Sequence, residues 1–485
     1  MNVFDYLFSG SKNLEKEFVL GSKEAISFSE LYANSLKVAS YFKESVGKEK
    51  AIVLIAPNST FFITAYLAIL KSGNICIPLN YGVEQATLEY VLGSTNCSLV
   101  VTTKALAKKL NQSLENCLVE EDVEQIIQEQ KVINFDAFLD SNKVAEIIFT
   151  SGSTGLPKGV MLSHKNIITN TESILGYLKL TSKDVMCVVL PFFYCYGLSL
   201  LHTHLKVGGS IVLNNNFIFL GTVISDMQKY KCTGFAGVPS HFQILLKKSK
   251  TFKDTKFPYL KYVTQAGGKL HSNFIDEFTN AFPEINFYIM YGQTEATARL
   301  SYLAPENLPS KIKSIGKAIP NVELKIVDEK GMEVAVNKEG ELIAKGDNIM
   351  LGYYKDNKAT EETLVDGWLY TGDIAKKDEE DFIYLVDRKK AILKVGGKRV
   401  SPKEIEAVVL EVPGVIDCSI VGVIDEVQGE ALQAIVVINK DDKEDAMKAQ
   451  ILEYCAKKLS LYKIPRNFVF KKAIAMNATG KKTKY

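Results

Sequence analysis

The sequence predicts an α/β protein. It should have a large N-terminal domain of parallel-rich sheets with helices, and a small α+β C-terminal domain on a hinge. Three observations carry this. The chain has 485 residues, more than one compact core holds, since cores stop growing near roughly 250–300 residues. Short β-branched runs alternate with amphipathic helical patterns through most of its length, the signature of helices packed on parallel sheets. From about residue 314 the texture changes to shorter strands and turns, and beyond residue 388 to a compact α+β pattern.

The elements follow in order. Strands are expected at AIVLIA (51–56), ICIPLN (75–80), CSLVVTT (97–103), DVMCVVLP (184–191) and INFYIMYG (285–292). Helices are expected at FFITAYLAILKSGN (61–74), HFQILLKKSK (241–250) and HSNFIDEFTNAF (271–282). Residues 185–205 hold no Lys, Arg, Asp or Glu, and about 20 apolar residues can cross a bilayer. Pro191, Gly197, Tyr194, Tyr196 and the His202/His204 pair do not suit a span, so a buried strand followed by a pocket-lining turn is expected. His202 and His204 alternate beside that strand and would share a face, without a third ligand in view for zinc. After residue 314 come VELKIVDEKG, GELIAKGD, DGWLYTGD and DFIYLVDRKK. A helix from Pro402, two strands (CSIVGV, ALQAIVVIN) and a helix (EDAMKAQILEYCAKKL) follow. The charged VDRKK segment divides residues 1–387 from residues 388–485, and its shortness suits a hinge.

Composition narrows the function. Fifty-eight Lys plus Arg against 56 Asp plus Glu leave +2, which offers no global field for nucleic acid or an anionic membrane. The eight cysteines are scattered, with no CxxC and no Cys/His metal spacing, and read as reduced thiols of a cytoplasmic protein. The start, MNVFDYLFSG, carries Asp5 and lacks the basic region of a signal peptide. A soluble protein without a membrane span is the expectation.

The segment EIIFTSGSTGLPKGVMLSH (146–164) concentrates the chemistry. A strand runs into Thr150, Ser151, Gly152, Ser153, Thr154 and Gly155, then Pro157, Lys158 and Gly159. Glycines let backbone N–H groups crowd around phosphate oxygens, hydroxyls add donors, and Lys158 adds charge. It is neither a Walker A string nor a dinucleotide fingerprint. A bare Gly/Ser/Thr cluster would be a polar hairpin turn, but the ten-residue TSGSTGLPKG string is far more specific. Tyr291 closes a strand, where its ring either fills core or stacks on a flat base. Thr294 and Glu295 follow at that strand's carboxyl end, where ligands of α/β proteins bind. Gln265-Ala266-Gly267-Gly268 is either a tight turn or a close backbone approach to a ligand. Arg388, Lys389, Lys390, Lys394, Lys398, Arg399 and Lys403 form a basic stretch with no acidic residue, by default a solvated loop.

With those residues in view, the chain resembles the adenylate-forming superfamily: acyl-CoA synthetases, peptide-synthetase adenylation domains and firefly luciferase. TSGSTGLPKG, YGQTE (291–295), WLYTGD (368–373), the DRKK segment and NATGK (477–481) stand in the family's order, from about residue 55 to the C-terminus. The resemblance implies ATP as co-substrate. Residues 150–155 and Lys158 would hold its phosphates, Tyr291 and Gly292 with Gly267 and Gly268 its adenine, and Asp373 and Arg388 its ribose. Thr294 would touch the phosphates, and Glu295 would hold Mg²⁺, which prefers one or two carboxylates plus phosphate oxygens. Lys481 would bridge the acid and the α-phosphate. Lys394, Gly396 and Gly397 would admit the thiol of coenzyme A or of an acyl carrier protein, and Lys390 would be the hinge. The chain departs from the family at Lys269-Leu270, one residue shorter than the usual glycine-alanine-proline-leucine form.

PFFYCYG (191–197) matches the family's substrate-pocket motif. Amino-acid-activating relatives carry Asp where Tyr194 stands. Tyrosine is neutral near pH 7 and cannot offset an ammonium. Phe193, Tyr194, Tyr196 and His241, with Gly267, would line an aromatic pocket for a fatty or aryl acid. The resemblance therefore implies an ATP-dependent acid–thiol ligase that releases pyrophosphate. Its rivals are an amino-acid-activating enzyme, a phosphate-releasing kinase or ATPase, and a non-catalytic nucleotide-binding module.

Overall fold

The structure, a computed structural model, describes the chain except residues 22–23, 111–115, 136–139, 151–156, 250, 389–392, 396–397, 426–428, 440–442 and 476–485. The side chains of 394, 398–399, 424–425 and 429–430 also lie outside the description. Among the described residues the strands form four sheets. The largest has nine strands, and its six central ones run parallel. These are Glu17–Leu20, Ser210–Leu213, Val185–Val188, Gly234–Gly237, Tyr262–Gln265 and Asn286–Tyr291. Short antiparallel strands finish both edges. The second sheet has seven strands, with Ala51–Ile55, Ile75–Leu79, Leu99–Thr102 and Val144–Thr150 parallel at its centre. Its far side carries an antiparallel pair, Lys158–Ser163 and Gly352–Tyr353. The expected strands and helices therefore stand where their periodicity put them, within a few residues.

Two helices that are buried on every side join the two large sheets. Thr60–Ser72 is buried from Phe62 to its end, and Cys195–Val207 from Cys195 to Leu205. A helix apolar all round belongs inside a large core. The two meet at Tyr66 and His202, whose hydroxyl and Nε2 lie 2.8 Å apart. Here the strand-and-turn expectation for residues 185–205 is corrected: only Val185–Val188 is strand, and the turn after it leads into a helix. Gly208, left-handed at φ 70°, closes that helix by donating to His204 and Leu205 carbonyls. His202 and His204 consequently do not share a face, because residues two apart on a helix point in nearly opposite directions. His204 turns its Nδ1 to the Leu200 carbonyl at 2.9 Å, away from Tyr66. Among the described residues, no helix is long and apolar enough to cross a membrane.

The third sheet, of five strands, is antiparallel throughout: Val322–Val327, Gly340–Gly346, Leu364–Val365, Trp368–Lys377 and Ile383–Arg388. The C-terminal part has its own five-stranded sheet, its own helices Pro402–Val409 and Glu444–Lys458, and its own apolar core around Val400, Ile405, Val436 and Ile451. This is the α+β unit the sequence predicts.

Candidate active site

The residues expected to hold the nucleoside lie where the parallel sheet meets the antiparallel one. Tyr291 is the last residue of its strand, and its buried hydroxyl donates to Asp373 Oδ2 at 2.6 Å. Arg388 Nε donates to Asp373 Oδ1 at 3.1 Å. Asp373 and Arg388 meet because they are direct partners across the antiparallel strands Trp368–Lys377 and Ile383–Arg388. Burial, then the charge of Asp373, pushes the Tyr291 phenol well up, so it stays a donor. Asp373 is itself buried, while the Arg388 side chain is two-thirds open to solvent at 66%. A buried carboxylate held from one side and open to an exposed arginine can accept from a diol. Gly292 follows under constraint: a Cβ there would stand 2.0 Å from the Ala298 carbonyl oxygen.

The residues expected at the phosphates begin one turn further on. Thr294 and Glu295 sit on the single-turn helix Thr294–Ala296, and Thr294 Oγ1 lies 3.6 Å from Cys195 Sγ. Glu295 Oε1 accepts from the Tyr353 hydroxyl at 2.9 Å. Lys158 Nζ stands 5.0 Å over the Tyr353 ring and 3.5 Å from Asp356 Oδ2. Thr150 and Lys158 are partners at the mouth of an antiparallel hairpin, whose tip, with Ser151, Gly152, Ser153, Thr154 and Gly155, lies outside the described residues. One half-exposed carboxylate suits a magnesium ion that arrives with phosphate oxygens, and among the described residues no group of three acids, histidines or cysteines forms a cage for a resident metal.

The residues expected to line the acid pocket start at the 191–197 turn. Asn58 fixes it from below, donating to the Leu190 carbonyl at 2.9 Å and accepting from Phe192 N at 2.8 Å. Gly197 lets the helix sit directly on it, since a Cβ would meet Pro191 O at 2.1 Å. Phe193 and Tyr194 are half-buried on the turn. Tyr196 differs from the pocket-lining expectation: it is 1% exposed, bonds Thr264 Oγ1 at 2.8 Å, and lies under the Arg299 guanidinium at 4.1 Å. His241 packs on Phe217 at 4.3 Å, and burial lowers its pKa to about 4, so it is a neutral wall. Gly267 holds φ +81°, which a glycine adopts freely. Gly268 approaches Pro239, the first residue of the His241 helix.

The C-terminal unit touches the larger one at defined points. His271 Nε2 faces the Ala407 carbonyl at 2.8 Å, and Ser401 bonds Asp387. Lys394 lies on the strand Leu393–Val395 with its side chain outside the description; Lys390, Gly396, Gly397 and Lys481 lie outside the described residues altogether.

Residues 9–354 match the family of the AMP-binding enzyme, and residues 404–481 match the AMP-binding enzyme C-terminal domain. The chain belongs to the AMP-binding enzyme family. It is 31% identical to 4-coumarate–CoA ligase 3 of Arabidopsis thaliana, across 96% of this chain and 86% of that one. With YngI of Bacillus subtilis it shares 35% identity over 351 residues, 72% of this chain and 63% of that protein. Its fold overlays on o-succinylbenzoate CoA synthetase from Bacillus subtilis, solved with an acyl-adenylate intermediate. The TM-score is 0.88 at 25% identity, covering 99% of this chain and 96% of that one. It is thus an AMP-forming acid–thiol ligase by class.

Two members of the site escaped the sequence reading, Tyr353 and Asp356. Both sit in GYYKD (352–356), where Gly352 at φ +140° and Lys355 at φ 54° mark a constrained backbone.

Proposed function

We propose that this ligase activates a fatty or aryl carboxylic acid with Mg·ATP and passes it to the thiol of coenzyme A or of an acyl carrier protein, in the cytoplasm. In the first step a carboxylate oxygen attacks the α-phosphorus. An acyl–phosphate bond forms, the α–β phosphoanhydride bond breaks, and pyrophosphate leaves. Asp373 and Arg388 hold the ribose, Tyr291 and Gly292 the adenine with Gly267 and Gly268. Residues 150–155, Lys158 and Thr294 hold the phosphates, and Lys481 stands between the acid and the α-phosphate. Glu295 and the phosphate oxygens would hold magnesium, which would supply charge to the leaving pyrophosphate. Lys158 and Lys481 supply charge where it develops. In the second step the thiol sulfur attacks the acyl carbonyl carbon, the thiol proton is lost to solvent, and AMP leaves with the phosphate oxygen. The smaller unit turns about Lys390 between the steps, withdrawing Lys481 and presenting the Lys394–Gly397 face.

The observation that carries this reading is the Tyr291–Asp373–Arg388 chain, with Glu295 four residues past Tyr291 and joined through Tyr353 to Lys158. The Tyr291–Asp373–Arg388 contacts support a base and a diol there, and the Glu295–Tyr353–Lys158 contacts support a triphosphate. The acid class rests on Tyr194 and the neutral His241, which offer an ammonium no counter-charge. A panel of acids read by ATP–pyrophosphate exchange tests it. Medium or long fatty acids or aryl acids should drive exchange, and exchange driven by an α-amino acid alone would overturn the acid class. Repeating the productive acid with coenzyme A and with a carrier protein identifies the acceptor.

A further inference from the structure

Lys158 and Glu295 come from elements far apart in sequence, yet one segment meets both. Residues 352–353 pair antiparallel with the strand that Lys158 begins, Tyr353 opposite Val160 and Gly352 opposite Met161. Tyr354 N adds a bond to Gly159 O at 2.7 Å. From the other direction, Met350 N donates to the Glu295 carbonyl at 2.9 Å, so the same segment holds the Glu295 backbone. Tyr353 is 8% exposed, and its own N donates to Thr360 Oγ1 at 2.9 Å. Gly352 permits this approach: a Cβ there would stand 2.7 Å from Thr360 Cγ2. The Tyr353 side chain therefore has one place to be.

From that place it does two things. Its hydroxyl donates to Glu295 Oε1, and among the described residues no donor holds Oε2, the oxygen that would face a cation. Burial, then the Glu295 charge, pushes the phenol well up, so it stays a donor. Its ring carries Lys158 Nζ at 5.0 Å, with Asp356 on the ammonium at 3.5 Å. Asp356 is anchored in turn, since its other oxygen caps the helix Asn357–Thr363 through Ala359 N at 3.0 Å. The Lys158–Asp356 pair is open to solvent at 32% and 41%, and such pairs are weak.

We propose that Tyr353 is a positioning residue for the adenylation step, setting the Glu295 carboxylate and the Lys158 ammonium at a fixed spacing for the metal and the phosphates of ATP. This rests on the metal and phosphate roles given to Glu295 and Lys158 above. Outer partners of metal-holding carboxylates change metal affinity by about 10–100-fold when removed.

The test uses Mn²⁺ as probe, its free concentration read by electron paramagnetic resonance, with the full-length protein and ATP and no acid, so that no turnover is needed. Tyr353→Phe keeps the ring and loses the donor. It should raise the Mn²⁺ half-saturation about tenfold, at the low end of that range, and leave ATP affinity at saturating metal within about twofold. Tyr353→Leu removes the ring as well and should weaken ATP itself, through Lys158. Glu295→Gln is the reference and should weaken Mn²⁺ at least as much as Tyr353→Phe. Weakening in Glu295→Gln with none in Tyr353→Phe would overturn the proposal and leave the reading of Glu295 standing. No weakening in either would overturn both. Should the leucine variant fail to fold, Tyr353→Phe decides alone.

Discussion

Single residues show best what the sequence could and could not tell. Tyr291 was legible as the end of a strand and Asp373 as part of a matched string, but the 2.6 Å bond between them joins positions 82 apart and comes only with the fold. Glu146 gave no signal at all. It stands in the strand that feeds the phosphate hairpin, 1% exposed, and accepts from the Tyr66 hydroxyl at 2.9 Å, which His202 faces from the other side. Burial raises its pKa to about 7. An unfolded glutamate titrates near 4.3, so between about pH 4.3 and 7 the folded protein holds a proton the unfolded chain has lost. Its contribution is greatest at the acid end and is lost as pH rises through about 7, a change on the order of 3 kcal/mol. The groups around it do not titrate in that window when folded: burial raises Tyr66 and Cys76 well up and lowers His202 to about 3. Buried histidines impose the opposite slope, common to parent and variant. Glu146→Gln should therefore be the more stable protein at pH 8 and lose that advantage by pH 5. Denaturant titrations of both proteins at the two pH values check this, and an equal difference at both would contradict the buried ionisation.

At the scale of elements, period decided what could be read. Residues 51–55 and 60–72 alternate strand and helix patterns clearly, and the structure follows them. The stretch 185–205 misled because a fully buried helix has no polar face, so its apolar run reads as well for strand as for helix. Gly197 and Gly208 mark the true element, one at its first turn and one at its cap. Gly197 also shows how the element makes the pocket, since its helix rests on the Pro191 carbonyl that shapes the turn. Gly197→Ala should cost about 1–3 kcal/mol of stability, as overpacking does, because the clash is with backbone. Displacing the turn should raise KM for the acid several-fold more than KM for ATP. Thermal unfolding and steady-state kinetics measure the two, and an unchanged acid KM would detach this turn from the acid site.

At the scale of the molecule, the two-part architecture was legible from the change of texture, and the structure gives the C-terminal part a separate core. The residues that part would contribute to chemistry were legible only as strings, and Lys481 lies outside the described residues. Their proposed division of labour has a kinetic signature. Lys481→Ala should slow acyl-AMP formation by about 10²–10³, typical for one lost charge stabiliser, and spare thioester formation from synthetic acyl-AMP. Lys394→Ala should show the converse bias with a smaller loss, because Lys398 and Arg399 stand nearby in sequence. Single-turnover rates of both half-reactions decide it, and equal losses in both would leave one fixed site. The most direct measurement is a ³¹P spectrum of the phosphorus products formed from ATP, a stimulating acid and coenzyme A or a carrier protein. The account predicts AMP and pyrophosphate in equal amounts, matched by thioester. ADP and inorganic phosphate would contradict it.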